Sequence, residues 1–397
     1  MKILVTSIVD LRKSAHNSRL HQFLKYLSER HEITVLSVND WWKAKWDDKS
    51  IEYCNDLEKS LSGVKIRYLT EKKLSPILQE IFSIKTVNNI LEEIEYKDFD
   101  VHFNYNTLIS GFAVARKIQT AGINTIYDVA DDLPEMIRTS PQINGLIRPI
   151  GGFVGDLAVK KNIDISKKIT FTTESLRDSC DIPLNKSELI PNGVDTELFK
   201  EYPPDDIKKE LGINNCFVVG HVGVLREWID LETLFLAVKQ LNEKLNIRLL
   251  IVGGGIGYED SVVMAKKNGL LKNVIFTGTV PYTQVPKYIS CMDVCVVPFK
   301  PDAVSQNSLP LKLFEYMACK KPVISTKVEG IIAAVQNRVL YASNVEEYKD
   351  RIIELYENEG LRRKLGYEGR EIVEKNYEWS KITSRLEQVM EEVRGLE

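Results

Sequence analysis

The 397-residue chain has little histidine (five residues) and six cysteines, at 54, 180, 216, 291, 295 and 319, with no C-x-x-C pair. No Cys/His spacing matches a zinc site, so a metal-knuckle fold and a disulfide framework are both excluded. Most of the cysteines lie inside apolar runs and read as buried thiols in a reducing cytoplasm. No run of about eighteen apolar residues occurs, so no helix is expected to span a membrane. The first residues, MKILVTSIVD, lack the long apolar core and small-residue cleavage site of an export signal, and a cytoplasmic protein is expected. A net charge of −3 gives no global attraction to nucleic acid. There is no tandem repeat and no low-complexity tract.

What is present is alternation. KILVTSI (2–8), EITVLSV (32–38), VKIRYL (64–69), DVHFNY (100–105) and NTIYDV (124–129) read as strands. Helical patterns fall between them at 18–30, 87–96 and 111–122, the last closed by Gly122. A turn-rich stretch, ELIPNGVDTELF, follows near 190, and then a second series begins. Its strands are expected at 216–224, 247–255, 273–280 and 293–299, with PVIST after 321 as another. Helices are expected at 230–244, around 262–270 and 345–376, with a break at Gly360 and a last amphipathic helix from 379. Repeated strand–helix–strand units mean parallel sheets covered on both faces. The fold class is therefore α/β, with two Rossmann-like domains facing across a cleft. The boundaries expected are 1–195, joined by the C-terminal helix 380–397, and 200–379.

SQNSLPLKLFEYMACKKPVIST (305–326) holds the densest chemistry. Pro310 is pre-set for a first helical turn. Gln306, Asn307 and Ser308 form a polar loop before it, where free N–H groups and the helix dipole suit a phosphate. Lys312 adds a full charge there, and Glu315, three residues on and on the same face, could accept bonds from a vicinal diol. The plain alternative is a surface ion pair, but Leu311, Leu313, Phe314, Met317 and Ala318 mark a largely buried helix. In GHVGVLREWIDLETL (220–234) a strand ends at Gly220 and Gly223, Asp230 suits an N-cap, and Arg226 is either a loop charge or a phosphate clamp. IVGGGIG (251–257) fails the dinucleotide spacing, because Tyr258 stands at the third glycine position; a glycine turn that lets backbone approach backbone or ligand is the better reading.

In YDVADDLPEM (127–136), Asp132 is placed for N-capping, while Asp131 and Asp132 could equally bond a sugar or acceptor. Arg12, Lys13, His16 and Arg19 follow the first strand as acceptor contacts or as a solvated loop. Residues 145–168 interleave apolar residues with Arg148, Lys160, Lys161, Lys167 and Lys168, and WWKAKW (41–46) clusters three tryptophans. Each is either core or covered loop, the plainer reading, or a peripheral membrane or partner surface at the inner face of the membrane.

With these residues in view, the chain resembles the GT-B glycosyltransferases, and among them the retaining, nucleotide-sugar-dependent family 4. IPNGVDTELF resembles the interdomain signature of that family, LLIVGGG and NVIFTGTVPYTQVPKYISCMDVCVVPF its base-binding stretch, and LPLKLFEYMACKKPVIS its donor motif. Trp379 and the last helix resemble its C-terminal crossover. The resemblance implies that Glu315 binds the ribose hydroxyls, that backbone around Ser308, Leu309 and Pro310 meets the diphosphate, and that Thr279, Val280 and Pro281 lie near the base. It implies a metal-independent enzyme with no cofactor, whose co-substrate is a nucleotide diphosphate-sugar and whose acceptor is a glycan or lipid-linked molecule in polysaccharide or glycoconjugate biosynthesis. The sequence departs from the family at Asn307, where a glutamate is usual, and at Val224, where an arginine is usual with a lysine to follow. Asp131-Asp132 stands where a strand-ending histidine is common, and Lys320 where a helix-ending glycine is. The rival expectations are a sugar-nucleotide epimerase of the same fold and a silent nucleotide-binding scaffold.

Overall fold

The computed structural model describes residues 1–12, 18–40 and 61–396. Lys13, His16, the tryptophan cluster 41–46 and Cys54 lie outside the described residues. The chain divides into two compact units, Met1–Pro191 with Trp379–Glu397, and Asn192–Glu378.

Among the described residues, seven strands build the sheet of the first unit: β1 (Lys2–Ser7), β2 (Glu32–Ser37), β3 (Val64–Tyr68), β4 (Val101–Tyr105), β5 (Asn124–Val129), β6 (Lys168–Phe171) and β7 (Ser187–Leu189). All pairings are parallel, in the order β3-β2-β1-β4-β5-β6-β7, with Ile3 opposite both Ile33 and Val101. Both faces of β1 and β4 are buried, which is why these strands read as continuous apolar runs. The order reverses between β1 and β4, so the carboxyl ends of these two strands flank a crevice.

Three helices, Pro76–Glu93, Ile109–Ile118 and Arg148–Ile165, pack in series on one face, the middle one touching both others. The right-handed sense of parallel crossovers sends Arg19–Leu27 to the opposite face. There it meets the last helix, Trp379–Arg394. Phe23 is the joint: its ring stands edge-on to Phe103 at 6.2 Å and to Trp379 at 5.6 Å. Glu387 accepts from His31 at 2.7 Å and from Arg30 at 2.6 Å, and Arg385 donates to the Leu189 carbonyl at 2.8 Å. The C-terminal helix thus belongs to the first unit.

The second unit has six parallel strands, β8 (Phe217–Val222), β9 (Ile247–Val252), β10 (Val274–Phe276), β11 (Val294–Val297), β12 (Val323–Ser325) and β13 (Leu340–Tyr341), in the order β10-β9-β8-β11-β12-β13. Asp230 caps the helix Leu231–Leu241, accepting from the Thr233 N–H at 3.1 Å and from the Thr233 hydroxyl at 2.7 Å. Cys291, Cys295 and Cys319 are free thiols buried in this core, and burial pushes the Cys291 thiol up to about 11.

The structure departs from expectation in identifiable places. β6, β7 and β13 are only two to four residues long, too short to carry a periodic signal. The helical break falls at Asn358 rather than Gly360, because the Asn358 side chain accepts from the Leu361 N–H at 2.8 Å and starts a new helix. The helix Arg148–Ile165 buries Val159 and Ile163 near its end but not the large apolar residues of its first turns. Gly152, Gly155 and Ala158 face inward, and Ile150 and Phe153 are exposed.

Arg19 is the clearest correction. Expected beside an acceptor, it is 3% exposed, and its Nε and Nη2 donate to Asp128 at 3.1 and 3.0 Å. Its Nη1 donates to the Pro191 carbonyl at 2.7 Å, and Thr170 donates to Asp128 at 2.5 Å. This ion pair ties the first helix to β5 and to the end of the unit. Asp128→Ala leaves a buried guanidinium uncompensated and is expected to lower the unfolding free energy by about 3–5 kcal/mol. The apolar pair Arg19→Met with Asp128→Leu is expected to recover most of that loss. Urea unfolding followed by circular dichroism checks both; a loss below about 1 kcal/mol for Asp128→Ala would show that the pair anchors nothing.

Candidate functional site

β8 and β9 end in glycine turns that interlock. Gly223, with φ 132°, donates to the Val252 carbonyl at 2.9 Å, and Leu225 donates to the Gly254 carbonyl at 2.7 Å. A Cβ on Gly253, φ 133°, would lie 2.1 Å from the Gly223 oxygen. IVGGG is therefore a close backbone approach. A Cβ on Gly223 would lie 2.6 Å from Lys312 Nζ, so the missing side chain is the space that the ammonium uses.

Lys312 is carried there by the helix Leu311–Ala318. Pro310 sits one residue earlier than expected, as the N-cap in extended conformation, and no side chain caps the helix. Ser308 N–H donates to Ser305 O at 3.0 Å, and Pro310 has no N–H. The donors left at the helix start are the N–H groups of Leu309, Leu311 and Lys312, which have no partner among the described residues. The Leu309 carbonyl is held by Asn192 Nδ2 at 2.6 Å, so the first residue of the unit steadies this loop. At the helix end, Lys320 adopts φ 52°, the left-handed conformation in which glycine is usual.

The ammonium of Lys312 lies 3.3 Å from His221 Nε2, its one hydrogen bond among the described residues. His221 is fully buried in β8, and its Nδ1 lies 3.0 Å from the Val296 carbonyl. A carbonyl only accepts, so Nδ1 carries the proton and Nε2 offers a lone pair to Lys312. Burial and the Lys312 charge hold His221 well below its usual range, as a neutral acceptor. Burial brings Lys312 itself down to about 8, although Glu315 opposes the shift.

Glu315 is 7% exposed. It makes no ion pair with Lys312; its one side-chain hydrogen bond among the described residues is from Tyr282 Oη to its Oε1 at 2.9 Å. Burial raises the carboxyl to about 7, against the pull of Tyr282 and Lys312. Tyr316, one residue on, accepts from the Val222 N–H at 2.7 Å and locks the helix to the end of β8. One helix thus carries two charges with separate partners, the cation at the glycine turn and the carboxylate at Tyr282. Thr279, Val280 and Pro281 lead directly into Tyr282, and a Cβ on Gly254 would meet Thr279 Oγ1 at 2.8 Å. Arg226 lies over the Trp228 ring at 5.9 Å and has no carboxylate partner among the described residues. Asn307 is the C-cap of the short helix Ala303–Gln306.

In the first unit, Asp132 is a cap: its side chain accepts from the Glu135 N–H at 3.1 Å and from Ser179 Oγ at 2.9 Å. Asp131, beside it, is exposed at the end of β5. Its crowded surroundings, Asp128 and Asp132 push its carboxyl up, Arg19 pulls it down, and the water reaching its open side weakens the shift. Arg12 is exposed, donates to the Ile66 carbonyl at 3.4 Å and lies over Tyr68. His16 lies outside the described residues.

Three supporting residues were not foreseen: His221, Tyr282 and Asn192. His221 carried a signal, since a histidine in the middle of a strand buried on both faces needs hydrogen-bond partners on both ring nitrogens.

Residues 204–372 match the family model described as glycosyl transferases group 1. An uncharacterized glycosyltransferase of Methanocaldococcus jannaschii is 25% identical over 252 residues, 60% of each chain. The N-acetyl-alpha-D-glucosaminyl L-malate synthase of Bacillus anthracis is 24% identical over 263 residues, 65% of each. The matches thus span less than two thirds of these relatives. The crystal structure of Anabaena HepE in complex with UDP is similar in fold, with a TM-score of 0.74 at 17% identity, over 99% of this chain and 100% of that one. The chain has the two-domain GT-B fold, and most of its second unit is similar to the glycosyl transferases group 1 family.

Proposed function

We propose that this protein is a retaining glycosyltransferase that moves a sugar from a nucleoside diphosphate-sugar to a glycan or lipid-linked acceptor. The observation that carries the reading is Glu315, a buried carboxylate whose one side-chain hydrogen bond among the described residues comes from Tyr282, on the same helix as an ammonium seated in a glycine turn. A carboxylate in a buried site accepts two hydrogen bonds from a vicinal diol well, and the ribose of a nucleotide supplies that diol. The Lys312 ammonium and the N–H groups at the helix start suit a diphosphate. As the bond to the sugar breaks, negative charge grows on the departing diphosphate. Preoriented donors that need not reorganise lower that barrier most.

In this reading Lys312 and the helix terminus supply the positive charge, and no metal or cofactor is assigned. Arg226, in the loop after Gly223, is a further anion contact. Thr279, Val280 and Pro281 border the base, and the N–H of Leu309 between Ser308 and Pro310 faces the phosphates. Asn307 bonds a sugar hydroxyl as a neutral amide. Asp131 is the carboxylate assigned to the acceptor, with Arg12 as a binding contact. Neither Arg19 nor Asp132 is retained for that role.

The reading predicts that Glu315→Gln lowers transfer by about 100-fold or more, the scale of losing one charged hydrogen-bonding partner at the reacting ligand, with the fold intact. Transfer of radiolabelled sugar from a panel of nucleotide-sugars to a lipid-linked acceptor pool measures this. Sugar isomerised without an acceptor identifies an epimerase, and nucleotide bound with neither reaction identifies a scaffold. Near-wild-type transfer by Glu315→Gln removes Glu315 from the site.

Two pH dependences follow. Lys312 is cationic only below about 8. Affinity for UDP or GDP is therefore expected to fall as pH rises above that value, and Lys312→Arg, which does not titrate there, to abolish the fall. Calorimetric titration from pH 7 to pH 10 checks this, and a flat wild-type profile excludes the assignment. Glu315 titrates near 7 in the folded chain against 4.5 as the ordinary value. The folded state then binds the extra proton between those values, so its destabilising effect is absent below 4.5 and complete above 7. Glu315→Gln is expected to stabilise the protein by about 1–2 kcal/mol more at pH 8 than at pH 5, read from urea unfolding at the two pH values.

A further inference from the structure

The first turns of the helix Arg148–Ile165 are built inside out, before Val159 and Ile163 enter the core near its end. Their inward face is small: Gly152, Gly155 and Ala158 are buried, and a Cβ on Gly155 would come 3.3 Å from Pro134 in the neighbouring helix Leu133–Thr139. The large apolar residues of these turns point to solvent, with Ile150 65%, Phe153 61%, Val154 46% and Leu157 46% exposed, and Leu146 just before the helix 87% exposed. These lie at 146, 150, 153, 154 and 157, the spacing of a single helical stripe. Side chains of this size at these exposures leave on the order of several hundred Å² of contiguous apolar surface, more than a monomer leaves uncovered without use.

A second stripe lies on the same face of the sheet. Leu78, Ile81 and Ile84 are 51%, 49% and 58% exposed on the helix Pro76–Glu93, and both striped helices pack against Ile109–Ile118.

The charges beside the stripes choose the occupant. Lys72, Lys73 and Lys85 are exposed around the second stripe. The only acid between residues 72 and 91, Glu80, is buried, accepting from the Ile109 and Ser110 N–H groups at 2.8 and 2.9 Å. Lys160 and Lys161 are exposed at the end of the first stripe. Asp156 there is taken up by Arg138, which leaves Asp164 as the one exposed acid without an ion pair on that helix among the described residues.

We propose that this face of the first unit docks on an anionic phospholipid bilayer, with the apolar stripes in the headgroup–acyl boundary and the lysines among the headgroups. Apolar side chains bordered by lysines are the pattern of helices that lie in a membrane interface. No described helix is long and apolar enough to cross a membrane. A cationic surface on a chain of net charge −3 is attracted to anionic lipid, about 1 kcal/mol per lysine near the surface. Two copies of the same cationic face would repel each other, which argues against a second copy of this chain as the occupant. The inference stands apart from sugar transfer, since it concerns binding alone.

Sedimentation of the full chain with vesicles tests it. Binding is expected to vesicles of phosphatidylcholine mixed with phosphatidylglycerol, to weaken on phosphatidylcholine alone, and to fall as salt is raised. Ile150→Glu with Phe153→Glu is expected to weaken binding at least about tenfold, with an unchanged melting temperature because both side chains are already in solvent. Lys160→Glu with Lys161→Glu is expected to weaken binding and to flatten its salt dependence. Three outcomes overturn the proposal. One is no binding to either vesicle, another is binding unaffected by the apolar variant, and the third is a solution dimer that the apolar variant dissolves while vesicles bind neither protein.

Discussion

Lys312 donates to a histidine that cannot take up its proton, and the second unit is arranged around that contact. His221 is neutral because its other nitrogen is committed to the Val296 carbonyl and because an imidazolium beside an ammonium in a buried strand would be repelled. The histidine orients the cation without neutralising it. Had Lys312 turned to Glu315, the two charges would have cancelled and neither would have kept bonding capacity. Their separation relies on small contacts: Tyr282 on the carboxylate, Tyr316 fastening the helix to β8, and Gly223 leaving the space that Nζ fills.

The first unit uses buried charge differently. Arg19 and Asp128 satisfy each other completely and hold the first helix, β5 and Pro191 together. A fully satisfied pair fixes structure, and a partly satisfied one keeps unused bonding capacity. By that criterion Asp128 and Arg19 are architectural, while Glu315 and Lys312 keep bonding capacity in reserve. The reserve carries a stability penalty, visible in the opposed directions in which burial drives the two groups.

Much of this was legible in the sequence. Long apolar runs with β-branched residues announced β1, β4, β5, β8 and β9, and Gly122 marked a helix end that does adopt φ 78°. Lys312 and Glu315 stood out as charges on an otherwise apolar helix, a pattern that local physics alone does not favour. Arg19 was misread because one helical turn says nothing about a carboxylate more than a hundred residues away in β5. For residues 145–168 the plainer of the two readings, a core helix or covered loop, failed in the first turns for the opposite reason. The apolar spacing there is a true helical stripe, but periodicity cannot tell which side faces the core, and the glycines decided it by allowing close approach on the other side. Tyr282 and Asn192 had no sequence signal of their own, since their roles come from partners, Glu315 and the Leu309 carbonyl, that only folding brings near.

The meeting of Gly223 and Gly253 bears on how such a protein can diversify. A side chain at 253 would collide with main chain, which cannot be moved aside by a rotamer change. That edge of the site is therefore closed to stepwise variation, and any substitution there requires rebuilding two loops at once. Thr279, Val280 and Pro281 present side chains rather than interlocked backbone, so they can change one at a time. Over evolutionary time, a lineage of such proteins would be expected to vary the segment before Tyr282 while the glycine seam stays fixed.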